Sequence, residues 1–258
     1  KKGESVLEVK NLSGRGKREL SSLKDISFNV KKGEILGVAG VDGNGQSELV
    51  EILTGLKSFN EGKVILNQEE ISELSPLEIR RKGLSHIPED RNIMGVCAEM
   101  TIQENLIANK LFDNPFSKGI VIQFDKVKDY AKNLIEKFDI RPPNPSIEVG
   151  DLSGGNMQKV VVAREISEGA DFIVAAQPTR GVDIGSMEFI RSILLEEREK
   201  GKGVLLISAD LEEIMTLSDR IIVMYEGEIA GEVDREEATE EELGYLMTGG
   251  VKQRSDSA

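Results

Sequence analysis

The chain has 258 residues, 39% hydrophobic and 31% charged, with a formal net charge of -13. That length holds one large domain or a core with a subdomain, and the acidic balance argues against a nucleic-acid backbone as the main ligand. A single cysteine, Cys97, excludes an internal disulfide, and a single histidine, His86, disfavours histidine metal sites and Ser-His-Asp triads. No run approaches a membrane span and no signal-peptide pattern is visible, so a cytosolic location is expected, with membrane association only through a partner. The chain starts at Lys1 rather than Met, as expected of a segment of a longer protein.

Residues 6–9 and 26–30 carry strand chemistry, with a polar loop predicted over 13–22. The apolar run 35–39 reads as a buried strand. It leads into Gly40-Val41-Asp42-Gly43-Asn44-Gly45-Gln46-Ser47, and then into a helix over 48–53. Strand, glycine-rich turn and helix form the setting of a phosphate-binding P-loop, in which glycines let backbone N–H groups turn inward toward an anion at a helix N-terminus. The pattern G-x-x-x-x-G-K-[ST] asks for Lys where this chain has Gln46, and a neutral amide supplies no cation to the phosphates.

A short strand over 64–66 follows Gly62, then a helix over 76–82 with Pro76 in its first turn, then a strand over 84–87. Residues 102–111 and 125–138 read as amphipathic helices, the second with Asp125 as cap and Val127, Ala131, Leu134, Ile135 and Phe138 on one face. This block shows no strong strand signal and reads as a helical subdomain, closed by the extended linker Pro142-Pro143-Asn144-Pro145.

Leu152-Ser153-Gly154-Gly155-Asn156-Met157-Gln158-Lys159 opens a helix over 153–167, with Ser153 as cap and two glycines allowing close approach of another molecule. Alone, it reads equally well as an ordinary capped helix. Buried strands are predicted over 172–176 and 203–207. Helices follow over 186–200, capped by Ser186, over 211–217 and over 239–247. A hairpin over 221–233 turns at Gly227. Apolar runs alternating with helices imply a mostly parallel sheet covered on both faces.

The P-loop position, Leu152-Ser153-Gly154-Gly155, and the strand ending in Gln177-Pro178-Thr179-Arg180-Gly181-Val182-Asp183 come in the order and spacing of an ATP-binding-cassette (ABC) domain. The sequence resembles that family over nearly its whole length. The longer forms over 152–159 and 178–183 resemble the second, C-terminal cassette of the tandem ATPases that serve monosaccharide and nucleoside importers. Ile87-Pro88-Glu89-Asp90-Arg91 and residues 175–181 lean toward the nucleoside branch.

The resemblance implies an α/β P-loop NTPase (RecA-like) fold with an N-terminal antiparallel β region and an inserted helical subdomain. It implies one domain over 4–250, with its core at about 4–87 and 165–250 and its helical subdomain at about 88–164. Residues 251–258 are expected to be a disordered tail. ATP and Mg²⁺ are the implied cofactors. The implied partners are an ATP-competent cassette, transmembrane permease subunits and, indirectly, a solute-binding protein, with no nucleic acid. The implied location is the cytoplasmic face of the membrane.

Carried over residue by residue, the resemblance places nucleotide binding on Gly40, Gly43, Asn44, Gly45, Gln46 and Ser47, with Ser47 facing Mg²⁺. The glutamine that reaches metal and water falls on Glu89, the metal-holding aspartate on Ala176, the catalytic glutamate on Gln177 and the switch histidine on Ala209. No aromatic residue between Asn11 and Ile26 stands ready to stack on adenine. Leu152, Ser153, Gly154, Gly155, Asn156 and Gln158 form the signature, which in ABC dimers completes the partner's site, and Asp183 is the D-loop residue. A Lys–phosphate contact is worth at most about 4 kcal/mol near the surface, and a lost general base removes about 10²–10⁴ in rate. The expectation is a degenerate site in cis and a working signature in trans.

Cys97 and His86 read as ordinary packing residues, and the Glu-rich stretches at 196–199 and 236–242 as solvated faces. The irregular segment 90–99 reads either as a plain loop or as a surface for a membrane subunit. A soluble non-transport ABC module and a regulatory pseudo-ATPase interaction domain are the rival readings.

Overall fold

The computed structural model describes residues 3–15 and 22–250. In chain order they form β1 (Ser5–Gly14), β2 (Leu23–Lys31), β3 (Ile35–Ala39), α1 (Gln46–Leu53), β4 (Glu61–Leu66), β5 (Glu69–Glu70), α2 (Pro76–Arg81) and β6 (Leu84–Ile87). Next come α3 (Ile102–Ile107), β7 (Ser117–Lys118), β8 (Val121–Ile122), α4 (Phe124–Lys137) and α5 (Gly154–Ile166). The chain ends with β9 (Phe172–Ala176), α6 (Ile184–Glu199), β10 (Gly203–Ile207), α7 (Leu211–Leu217), β11 (Arg220–Tyr225), β12 (Glu228–Asp234) and α8 (Glu240–Met247).

These elements fall into two compact units. The first holds the residues up to His86, Ala170–Gln177 and those from Leu194 onward; the second holds Ile87–Gly169 and Pro178–Ile193.

In the first unit, alternating apolar residues make β1 a half-buried strand, with Leu7, Val9 and Leu12 turned inward. It pairs antiparallel with β2 and β4 in a four-stranded sheet ordered β2-β1-β4-β5. The continuous apolar runs of β3, β9 and β10 are buried at every position, the signature of strands covered on both faces. They lie in a six-stranded sheet ordered β12-β11-β3-β10-β9-β6, where β3 runs parallel to β10 and β11, and β10 parallel to β9. Ile207 pairs with both Val38 and Ala176, so the C-terminal ends of β3, β10 and β9 reach the same sheet edge. Open α/β sheets place ligands along such an edge.

Arg220, at the start of β11, joins the two sheets. It donates to Glu34 Oε1 (3.1 Å), Glu232 Oε1 (2.7 Å) and the Asn29 carbonyl (2.6 Å). The Glu34 side chain is almost fully buried and also accepts the Lys31 N–H at 2.7 Å. A charge placed so deeply is tolerated only with such partners.

The second unit is mainly helical, and it departs from the sequence expectation in several places. A two-residue hairpin, β7–β8, stands where no strand was predicted, and it delivers the chain through Gln123 N–H to Phe116 O (2.8 Å) straight into α4. As a result α4 starts at Phe124, with Gln123 at its cap position and Asp125 inside the first turn rather than capping. The α3 helix stops at Ile107, short of the predicted 111, because the next residues turn toward α5. Asn109 donates to Glu165 (3.2 Å) and Lys110 to the Ser167 carbonyl at the α5 C-terminus (3.0 Å). That cation satisfies an end-of-helix carbonyl and meets the negative pole of the helix.

At the other end of the unit, α6 begins two residues before the predicted start. Asp183, not Ser186, fills the capping role, its carboxylate accepting from Ser186 N (2.9 Å) and Ser186 Oγ (2.8 Å). Towards the end of α6, Glu197 is buried and bonds Lys200 (2.7 Å), so that Glu-rich stretch is not a uniformly solvated face. In the first unit, β1 continues to Gly14 and β2 starts at Leu23, which shortens the predicted 13–22 loop; residues 16–21 lie outside the described residues, as does the predicted tail at 251–258. Among the described residues no helix is long and apolar enough to cross a membrane.

Candidate functional site

The central strand β3 feeds the glycine-rich loop 40–47. Gly43 and Gly45 take positive φ values of 91° and 105°, which only glycine adopts at low cost, and α1 begins with no side chain capping its first turn. A helix start not closed by a side-chain cap is the arrangement that suits an anion. Asn44 holds the loop in shape: Nδ2 donates to the Val41 carbonyl (3.0 Å), while Oδ1 and the Asn44 carbonyl accept from Glu226 N (2.8 Å) and Gly227 N (3.0 Å) in the β11–β12 turn.

Gln46 does not reach outward. It is 7% exposed, its amide donates to the same Val41 carbonyl at 3.2 Å, and it lies so close to Gly40 that a Cβ there would meet Nε2 at 2.2 Å. Its Oε1 is buried without a hydrogen-bond partner. The neutral side chain thus folds into the loop. Glu48, in the first turn of α1, is buried. Ser47 is exposed.

Along the same sheet edge, β9 ends in Ala176, which offers no ligand, and in Gln177, which stands in the left-handed region at φ 46°. The Gln177 N–H donates to Ile207 O (2.7 Å), and its Oε1 accepts the Ala209 N–H (3.2 Å). The amide at the catalytic-glutamate position is thus part of a backbone clasp between β9 and the segment after β10, and Ala209 contributes only its main chain. Among the described residues, no group of three or more His, Cys, Asp or Glu is placed to hold a metal. The loop backbone fits phosphate. At the end of β9, Ala176 and Gln177 carry no carboxylate.

In the second unit, Ser153 caps α5, accepting from Asn156 N (3.4 Å) and Asn156 Nδ2 (3.0 Å), and it stays exposed. Leu152 is buried beneath it. The two signature glycines serve contact. A Cβ on Gly155 would come within 2.3 Å of both Asp183 Oδ2 and Ser186 Oγ, and one on Gly154 within 3.0 Å of Arg91. Gln158 is buried and donates to Pro178 O (2.8 Å), fastening α5 to the D-loop segment. The Asp183 carboxyl is held below its usual range by the Ser186 backbone N–H and then by the Ser186 hydroxyl.

Glu89 pairs with Arg180 at 2.6 Å, and Arg91 donates to the carbonyls of Arg180 (2.7 Å) and Gly181 (3.1 Å). These two arginines went unassigned in the sequence, and their only signal there was nearness to Glu89 and Asp183. The 90–99 segment is an Asp90-capped turn, with Ile93 81% and Met94 51% exposed. Cys97 is exposed rather than packed, its backbone held by Asn105.

A P-loop on the central strand of a parallel sheet, an antiparallel sheet beside it, and a serine-capped helix on a helical unit define a nucleotide-binding cassette. The family model for ABC transporters matches residues 23–180, and the chain belongs to that family, whose members bind ATP with Mg²⁺. It is 43% identical over 256 residues to the guanosine import ATP-binding protein NupO of Bacillus subtilis (strain 168), covering 99% of this chain and 50% of that protein. It is 42% identical to the nucleoside import ATP-binding protein NupA of Lactococcus lactis subsp. cremoris (strain MG1363), covering 95% and 48%. With the glucose import ATP-binding protein TsgD13 of Haloferax volcanii it shares 41%, covering 96% and 46%. The chain spans about half the length of these relatives. Among solved structures, an ATP-binding cassette of an ABC transporter in its ADP conformation superposes with a TM-score of 0.75 at 25% identity, covering 95% of each chain. A dimeric bacterial ABC transporter cassette matches in fold alone, with a TM-score of 0.74 at 24% identity and coverage of 89% and 98%.

Proposed function

We propose that the chain is the second cassette of a tandem importer ATPase for a nucleoside, with a simple sugar as the alternative cargo. It works at the cytoplasmic face of the membrane with permease subunits. Its own P-loop site is degenerate, and its signature completes the ATP site of a competent partner cassette. The observation that carries this reading is the contrast between its two anion-facing helix starts. At α1, Gln46 is folded away and Glu48 is buried; at α5, Ser153 stands exposed on a fully braced cap. The names of the two relatives at 43% and 42% identity support nucleoside cargo, and the 41% glucose relative keeps sugar in view. The net charge of -13 speaks against a nucleic-acid-directed module.

The test has two parts. Purified alone, the chain releases phosphate from ATP no faster than a contaminant-corrected blank. Paired with an ATP-competent cassette and permease in vesicles, it supports turnover and guanosine uptake, and Ser153→Arg abolishes both while Gln46→Ala costs less than about threefold. Robust turnover by the lone chain, or equal loss from the two substitutions, overturns the reading.

A further inference from the structure

Ser153 has one proton to donate and two lone pairs. On this chain both lone pairs face Asn156, which offers its backbone N–H at 3.4 Å and its side-chain Nδ2 at 3.0 Å. The Asn156 amide is not free to flip. Its Oδ1 accepts the Arg141 N–H at 2.7 Å, and turning it over would set two donors face to face. Arg141 is anchored in turn. Its Nε donates to Asp139 Oδ1 (2.7 Å), and Lys159, 8% exposed, donates to the Asp139 carbonyl (3.0 Å) and carboxylate (3.3 Å) while lying 4.9 Å from the Phe189 ring centre. Among the described residues no acceptor takes the Ser153 proton.

We propose that Asn156 is a positioning residue that fixes the Ser153 hydroxyl with its proton pointing outward, toward an anionic oxygen presented at the α5 N-terminus. The inference rests on the reading above that this oxygen belongs to a nucleotide held by the partner cassette. An oriented hydroxyl costs no reorganisation when negative charge arrives, whereas a free rotor does.

The experiment measures ATP turnover of this chain paired with an ATP-competent cassette. Asn156→Asp keeps an acceptor for the Arg141 N–H but puts a carboxylate oxygen where Ser153 now meets a donor, so the hydroxyl proton turns inward. A loss of about tenfold or more in kcat is expected, with a smaller change in KM, since one misdirected donor costs up to about 10²–10³. Asn156→Ala, which only frees the rotor, loses less. The double variant Ser153→Ala/Asn156→Asp is no worse than Ser153→Ala, because the aspartate acts through the serine. A brace that merely holds Arg141 predicts the reverse order, with Ala worse than Asp, and that outcome overturns the proposal. So does an additive loss in the double variant, which would mark simple charge repulsion. If Ser153→Ala itself turns over like the parent, the in-trans signature reading fails. If Ser153→Ala is impaired and Asn156→Asp is not, only the role of Asn156 fails.

Discussion

At the residue scale, the P-loop is an intact backbone with altered side chains. Gln46→Lys places a cation in the glycine-rich loop at the start of α1. Its Coulomb term is at most about 4 kcal/mol at a contact of about 4 Å near the surface. Mg-ATP affinity of the chain rises about tenfold or more, read with a fluorescent ATP analogue. Phosphate release stays at the blank, because Ala176 holds no metal and Gln177 is occupied in its bond to Ala209. Turnover in the single variant would mean that another group serves as base. The glycine-rich turn between β3 and α1 was legible in the sequence, because an apolar run, glycines and a helical stretch follow one another there. What the side chains of Gln46 and Gln177 do was not legible. That Gln46 folds onto Gly40, and that Gln177 clasps the Ala209 backbone, depends on which carbonyl or N–H lies within reach across the sheet edge.

Among elements, the helix starts decide most of what holds locally. Ser75 with Glu78, and Thr101 with Glu104, form reciprocal capping boxes at α2 and α3. Hydrogen bonds from Ser75 lower Glu78, those from Thr101 lower Glu104, and those from Ser186 lower Asp183. A carboxylate depressed in the folded state stabilises fully above its unfolded value of about 4 and loses that contribution as pH falls through the folded value. Unfolding midpoints of the parent and Asp183→Asn should therefore differ at pH 7 and converge below pH 4; a constant gap would show that the carboxylate charge is irrelevant to the cap. The buried pair is a sharper case. Arg220→Met leaves Glu34 without its cation and costs about 3 kcal/mol in chemical denaturation, while the double Glu34→Met/Arg220→Met regains most of that loss. β3, β9 and β10 were legible because each is an apolar run throughout. The β7–β8 hairpin was not, since two-residue strands carry no periodicity, and the early end of α3 depends on Asn109 and Lys110 finding α5, a contact distant in sequence.

Considered as a whole, the molecule divides its two glycine-rich helix starts between two units, α1 in the first and α5 in the second. Motif order made the fold class readable, because P-loop strand, signature and D-loop strand recur at spacings that few other α/β chains share. Segment 178–193 clusters with the second unit, a grouping decided by contacts such as Gln158 to Pro178 that no local pattern announces.

Asn44 links the tip of the P-loop to residues 226 and 227, far along the chain, through two hydrogen bonds, and a third holds it to Val41 within the loop. That seam makes the loop a fastening of the fold as well as a receptacle. The glycines and Asn44 therefore answer to the fold whatever the loop binds, because losing them would unstitch the hairpin that closes the sheet beside β3. The side chain at position 46 bonds within the loop itself, to Val41, and takes no part in that seam.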